Sequence, residues 1–219
     1  MQQKKTSNEE NGKNAFRGGG EFQKASLLTT EQILGKMRQM ELENLKNGKT
    51  PNIVWETPLK HYADPLYTNF EEFLRLKARS KKAKGKELWV FDAGIGSGKQ
   101  WLPLLSEMKD SIQLFGNALS KEYVIEELSG RVEACRSSKV NERFGNGIFD
   151  VAVSRYGMAF EELEAILSLS KLVVNGGHII VVGDINNMPE RNTLLATNDL
   201  LVLAESSNES SKAYWLMKR

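Results

Sequence analysis

From Leu88 onward the chain alternates short apolar runs with stretches of helical spacing. Leu88-Trp89-Val90-Phe91 is continuously apolar and ends at Asp92 and a glycine cluster, the pattern of a buried strand. A helical stretch follows around Trp101, Leu102, Leu104, Leu105 and Met108. Ile112-Gln113-Leu114-Phe115 predicts a second strand, Tyr123 to Leu128 a second helix, and Val132 to Cys135 a weak third strand. Phe149 to Ser154 is a strong fourth strand, followed by a helix over Phe160 to Leu172 and a fifth strand from His178 to Gly183. Leu200 to Ala204 and Ala213 to Met217, separated by a polar turn, read as a terminal hairpin. Nearly continuous apolar strands alternating with helices imply a mostly parallel sheet covered on both faces.

Ahead of Leu88 the pattern differs. Residues 1–26 are polar and glycine-containing with no apolar periodicity, which predicts a disordered leader. Thr29 and Gln32 stand at capping-box spacing before a stripe of Ile33, Leu34, Met37, Met40, Leu42 and Leu45, closed by Asn47-Gly48. Residues 51–67 hold Pro51, Pro58 and Pro65 and are expected to be irregular. A further helix is expected to open at Thr68, with Glu71 three residues later, burying Phe70, Phe73, Leu74 and Leu76.

Composition narrows the possibilities. The chain has 219 residues, 40% hydrophobic and 26% charged, enough for one ordinary domain and an extension. No stretch approaches a membrane span, and the polar start does not resemble a secretory signal. One cysteine, Cys135, rules out an internal disulfide, and two histidines make no metal centre. A cytoplasmic location is expected. The net charge of +2 hides an asymmetry: residues 1–86 carry seventeen Lys/Arg against ten Asp/Glu, while residues 87–219 carry thirteen against eighteen. The division expected is a leader (1–26), a helical, basic cap (27–86) and a globular body (87–219).

The informative segment is Asp92-Ala93-Gly94-Ile95-Gly96-Ser97-Gly98-Lys99. Glycines between a strand and a helix let backbone N–H groups approach a ligand closely. A phosphate-binding G-x-x-x-x-G-K-[ST] loop fails, because Ala93 stands five before Gly98 and Gln100 follows Lys99. The dinucleotide G-x-G-x-x-G pattern meets Lys99 where its third glycine belongs. An acid, one spacer and Gly-x-Gly-x-Gly does fit, and here the chain resembles the class I S-adenosylmethionine-dependent methyltransferases. The likeness extends over residues 85–219 through the Phe149–Ser154 strand, the Asn175-Gly176-Gly177 turn before the fifth strand, and the terminal hairpin.

That resemblance implies an α/β, Rossmann-like three-layer sandwich with a mostly parallel seven-stranded sheet and a terminal antiparallel hairpin, plus the N-terminal helical extension. It implies S-adenosyl-L-methionine as cofactor, held by Asp92, Gly94, Gly96, Gly98, Asn117 and Ser154, with Arg155 and Tyr156 where the methyl acceptor would approach. Methyl transfer asks the protein mainly for alignment, plus a base where the nucleophile must lose a proton.

The chain also departs from the family. The acid that usually accepts from the ribose hydroxyls aligns with Ala118, leaving Asn117 as a neutral neighbour, and the adenine-contacting acid aligns near Ser137 and Ser138. The Asn/Asp-Pro-Pro-aromatic motif is absent after the fourth strand. Two readings therefore stand: a methyltransferase acting on RNA or a small molecule, and a methyltransferase-like subunit that binds or scaffolds without catalysis. A nicotinamide-linked oxidoreductase suffers from the same missing acid and from Lys99.

Arg75, Lys77, Arg79, Lys81, Lys82, Lys84 and Lys86 place seven cations within twelve residues. They could hold RNA phosphates or simply form a solvated helix face. Trp55, His61, Tyr62 and Tyr67 read either as a lid with aromatic surfaces for a flat substrate or as a small hydrophobic cap over the sheet, the cap being the favoured expectation. His178 is expected to bond to backbone, and Cys135 to be a small buried hydrophobe.

Overall fold

The computed structural model describes residues 57–158 and 161–219, together with Gln32, Gly35, Lys36, Gln39, Met40, Glu43 and Asn47. The leader, Trp55 and most of the first expected helix lie outside the described residues. Gln32, Gly35, Lys36, Gln39, Met40 and Glu43 are helical, as the stripe at 33–45 requires.

Seven strands form one sheet: β1 (Leu88–Ala93), β2 (Ile112–Ala118), β3 (Val132–Ala134), β4 (Phe149–Arg155), β5 (Val173–Asp184), β6 (Leu200–Ser207) and β7 (Ser211–Lys218). Their order is β3-β2-β1-β4-β5-β7-β6. The first five are parallel, and β7 pairs antiparallel with both β5 and β6. The strand order reverses between β1 and β4, where open α/β sheets place their ligands. Helices α1 (Phe70–Lys82), α2 (Leu102–Glu107), α3 (Val140–Phe144), α4 (Glu162–Leu172) and α5 (Arg191–Leu195) accompany the sheet. The alternation implied the mostly parallel sheet, and the resemblance the Rossmann-like sandwich that is observed.

Alternate residues of β1 serve two cores. Leu88 and Val90 join Phe70, Leu74, Ala78, Trp101 and Leu104 on one side, and Phe91 and Ala93 join Phe149, Ala165, Ile166 and Leu169 on the other. This two-sided burial explains why β1 reads as an unbroken apolar run.

Several boundaries differ from expectation for local reasons. Helix α1 starts one turn position later than Thr68, because Asn69 Oδ1 accepts from the Glu72 amide at 3.1 Å. It buries Ala78 in place of Leu76, which is 57% exposed. The helix expected at 123–128 is two 3-10 turns, Lys121–Tyr123 and Glu126–Leu128, separated by extended Val124 and Ile125. Ile125 donates its amide to Ser97 O at 3.0 Å, which pulls this segment onto the glycine loop instead of into a helix. The irregular 51–67 stretch holds two further 3-10 turns, Leu59–His61 and Asp64–Leu66. Helices α3 and α5 are single turns of five residues with too little periodicity to read in advance.

Candidate functional site

The Gly94–Gly98 loop leaves β1 with all three glycines in the left-handed region, at φ 77°, 64° and 82°. Only glycine adopts this conformation cheaply, so the sequence pattern has a backbone cause. What lies against the loop is the chain itself. A Cβ on Gly94 would sit 2.3 Å from Gly157 Cα, and one on Gly157 would sit 2.1 Å from Ala93 O. These two backbones are in van der Waals contact across the switch point. A ligand threaded between them would need two such contacts in series, about 7 Å of separation.

The loop amides are also spent internally. Gly94 N donates to Asn117 O at 3.1 Å and to Asn117 Oδ1 at 3.2 Å, and Ile95 N donates to Asn117 O at 3.0 Å. Asn117 Nδ2 in turn donates to Cys135 O at 2.9 Å and to Ser137 Oγ at 3.2 Å. Ser137 Oγ donates to Gly157 O at 2.9 Å, and the Tyr156 amide to Val182 O at 2.8 Å. The ends of β1, β2 and β3 and the turn after β4 are thereby tied together. Between them Gly94, Asn117, Cys135, Ser137, Gly157 and Glu161 line a cavity of about 30 Å³. That is room for about two waters, far below the roughly 300 Å³ of a ligand pocket.

Asp92, at the end of β1, is buried and reached from the cap. Trp101 Nε1 donates to its Oδ2 at 2.7 Å and the Tyr62 hydroxyl to the same oxygen at 3.3 Å. Burial pushes its carboxyl up to about 7, with the two donors pulling the other way. Tyr62 is itself buried, stacks on Phe70 at 5.7 Å and meets Trp101 edge-on at 6.3 Å. Burial, and then the Asp92 charge, raise its phenol well above the ordinary range. Gln100 Nε2 donates to Tyr62 Oη at 2.8 Å and to Ile95 O at 2.9 Å. Gln100 Oε1 is buried with no partner among the described residues.

The remaining site residues fall as follows. Ser154 is fully buried and donates to Ala93 O at 2.8 Å, bridging β4 to β1. Arg155 Nη1 donates to His61 O at 2.5 Å, which anchors the cap to the end of β4. Tyr156, at φ 55°, is 41% exposed, with the Arg155 guanidinium 5.7 Å from its ring centre. Ala118, where the ribose-binding acid would stand, is buried. Sequence reading missed Gln100, Trp101 and Gly157 as members of this cluster. The Tyr-Gly pair after β4 was the available signal, since glycine beyond a strand marks a close backbone approach.

In the cap, Tyr62 is buried as expected, whereas Tyr67 is 95% exposed. His61 pairs with Asp64 at 2.7 Å. His178 departs from the expected backbone bond: its ring nitrogens face Lys77 and Trp215. Cys135 is half-buried, and burial raises its thiol to about 11. The basic run is partly neutralised. Arg75 pairs with Glu71 at 2.6 Å and Glu107 at 2.8 Å, and Lys81 with Asp150 at 2.5 Å. Among the described residues no cluster of three or more metal-ligating side chains occurs.

No protein-family model and no curated protein matches the sequence. Solved structures do match in fold. The [4+2]-cyclase SpnF superposes with a TM-score of 0.50 at 14% identity, over 87% of this chain and 96% of its own. A putative sarcosine dimethylglycine methyltransferase from Galdieria sulphuraria gives 0.51 at 9% identity, over 68% and 84%. A geranyl diphosphate C-methyltransferase from Streptomyces coelicolor A3(2), solved with S-adenosyl-L-homocysteine, gives 0.47 at 13%, over 73% and 84%. The chain has the fold of the class I S-adenosylmethionine-dependent methyltransferases. A cyclase among these neighbours illustrates that the fold alone does not name a reaction. In the conformation observed the Gly157 backbone lies against Gly94, and the cavity beside them holds about 30 Å³.

Proposed function

We propose that this protein is a methyltransferase-fold binding module that acts without methyl transfer. One observation carries the reading: the Gly94 backbone is covered by the Gly157 backbone. Two of the three loop glycines then have an internal contact that favours glycine: Gly94 meets Gly157, and a Cβ on Gly98 would meet Leu128 Cδ1 at 2.5 Å. Asn117 and Ala118 in place of a ribose-binding acid point the same way.

RNA is the partner favoured by the charge distribution. Arg79, Lys82, Lys84 and Lys86 make no ion pair among the described residues, so they remain available to phosphates. A second reading, S-adenosylmethionine-dependent transfer to an RNA or small-molecule acceptor oriented by Tyr156 and Arg155, is favoured by the exposure of Tyr156. It requires Gly157 to leave Gly94.

Calorimetric titration of the full chain with S-adenosylmethionine and S-adenosylhomocysteine separates the two. The first reading expects no heat up to millimolar ligand. Micromolar binding would overturn it in favour of the second.

A further inference from the structure

On the side of the sheet covered by α1, three side chains from three elements meet. Lys77 Nζ of α1 lies 2.8 Å from His178 Nε2 of β5, and Trp215 Nε1 of β7 lies 3.0 Å from His178 Nδ1. The protons can be assigned by elimination. An indole N–H is only ever a donor, so Nδ1 of His178 must be the bare, accepting nitrogen. A neutral imidazole carries one proton, which must then be on Nε2, pointing at Lys77. An ammonium has three donors and no lone pair, so a protonated Lys77 would oppose N–H to N–H at 2.8 Å. The arrangement closes only if the lysine is a neutral amine accepting from Nε2–H.

We propose that Lys77 presents an unprotonated amine beside the sheet, a nucleophilic site for acylation by activated acyl groups such as acyl thioesters. Lys77 is half-exposed, so the reagent has access, and its flexible stem can swing the lone pair from His178 to the acyl carbon. The nitrogen–carbon bond forms and the carbon–sulfur bond breaks. The departing thiolate takes up the proton that the nitrogen sheds, leaving an amide and a thiol.

The surrounding groups compete. Burial and the Lys81 charge on α1 disfavour the ammonium, while Asp150 on β4 and the Phe73 ring, 5.7 Å from Nζ, favour it. Asp150 is already engaged by Lys81 at 2.5 Å and by the Trp89 amide at 3.0 Å, which weakens its hold on Lys77. The lysine accordingly lies below its ordinary value. Burial, the larger cause, depresses His178 to about 4, which keeps the ring neutral across the labelling range.

The test is competitive labelling of the full chain with trace acetic anhydride between about pH 6 and pH 11, read peptide by peptide by mass spectrometry, with Lys84 as internal reference. At about pH 8, Lys77 is expected to reach a fraction of its own plateau rate several-fold above that of Lys84, because its amine is already unprotonated in the arrangement with His178. Trp215→Phe frees Nδ1 to carry the proton and Nε2 to accept from an ammonium. It should therefore move the Lys77 profile back toward that of Lys84, which loss of burial elsewhere would not mimic at an unchanged fold by circular dichroism. Coincident Lys77 and Lys84 profiles in the wild-type chain overturn the proposal, and so does a folded Trp215→Phe protein with an unmoved profile. If that variant does not fold, the wild-type comparison alone decides.

Discussion

The hydroxyl of Tyr62 donates to Asp92 across 3.3 Å, joining a 3-10 turn region of the cap to the last acidic position of the first strand. In a sheet of this topology that acid faces the ligand side, yet here both of its donors, Tyr62 and Trp101, are protein groups. The consequence is a carboxyl held near neutrality by burial.

Asp92 predicts a distinctive dependence of stability on pH. Its folded value is about 7 against an ordinary 3.8, so between those values the unfolded chain binds fewer protons and stability falls as pH rises. The loss, on the order of 4 kcal/mol, is complete above about pH 7. Asp92→Asn should remove this slope and be the more stable protein at about pH 8, measured by urea denaturation at several pH values. An unchanged slope would mean the carboxyl is solvated.

The Gly94–Gly157 contact predicts that glycine matters without any ligand. Gly157→Ala puts a methyl 2.1 Å from Ala93 O, a backbone atom that cannot swing aside. A loss of at least about 2 kcal/mol is expected in denaturation of the ligand-free protein. A stability equal to wild type would show that the two turns are free to separate.

Asn117 uses both ends of its amide, accepting from Gly94 and donating to Cys135 O and Ser137 Oγ. Asn117→Asp keeps the acceptor and turns the donor into a carboxylate oxygen facing a carbonyl. The expected cost is about 2–4 kcal/mol at neutral pH. Because the new carboxyl would be raised in the fold, the variant should recover stability on acidification; thermal melts at about pH 4.5 and pH 7.5 test the direction.

For RNA, Arg79, Lys82, Lys84 and Lys86, the four cations of the 75–86 run left to phosphates because they make no ion pair among the described residues, should contribute about 3 to the magnitude of the log–log salt slope, at about 0.7 of a counterion released per phosphate of a single strand. Replacing Lys84 and Lys86 together by Gln should lower it by about 1.4, while Arg75→Gln should leave it unchanged and loosen α1 instead. A filter-binding series over salt reads both.

Much of this was legible in the linear chain, because burial on both faces imposes unbroken apolar runs on β1, β4 and β5 and glycine is required wherever φ turns positive. What the glycines approach was not legible. Gly94 serves a protein backbone contributed from residue 157, and no local pattern distinguishes that from a ligand. Tyr62 could be placed in a cap by its proline-rich surroundings, but its bond to Asp92 depends on a chain reversal thirty residues long. The short turns at 121–128 misled for a different reason. Their apolar spacing is helical, while the pull of Ser97 on the Ile125 amide is tertiary.

Helix α1 has a practical corollary. Phe70, Leu74 and Ala78 have no exposed surface and share one interior with Leu88 and Trp101. Excising everything up to residue 86 would leave that interior open to water along its whole length, so a minimal fragment must begin ahead of Leu59.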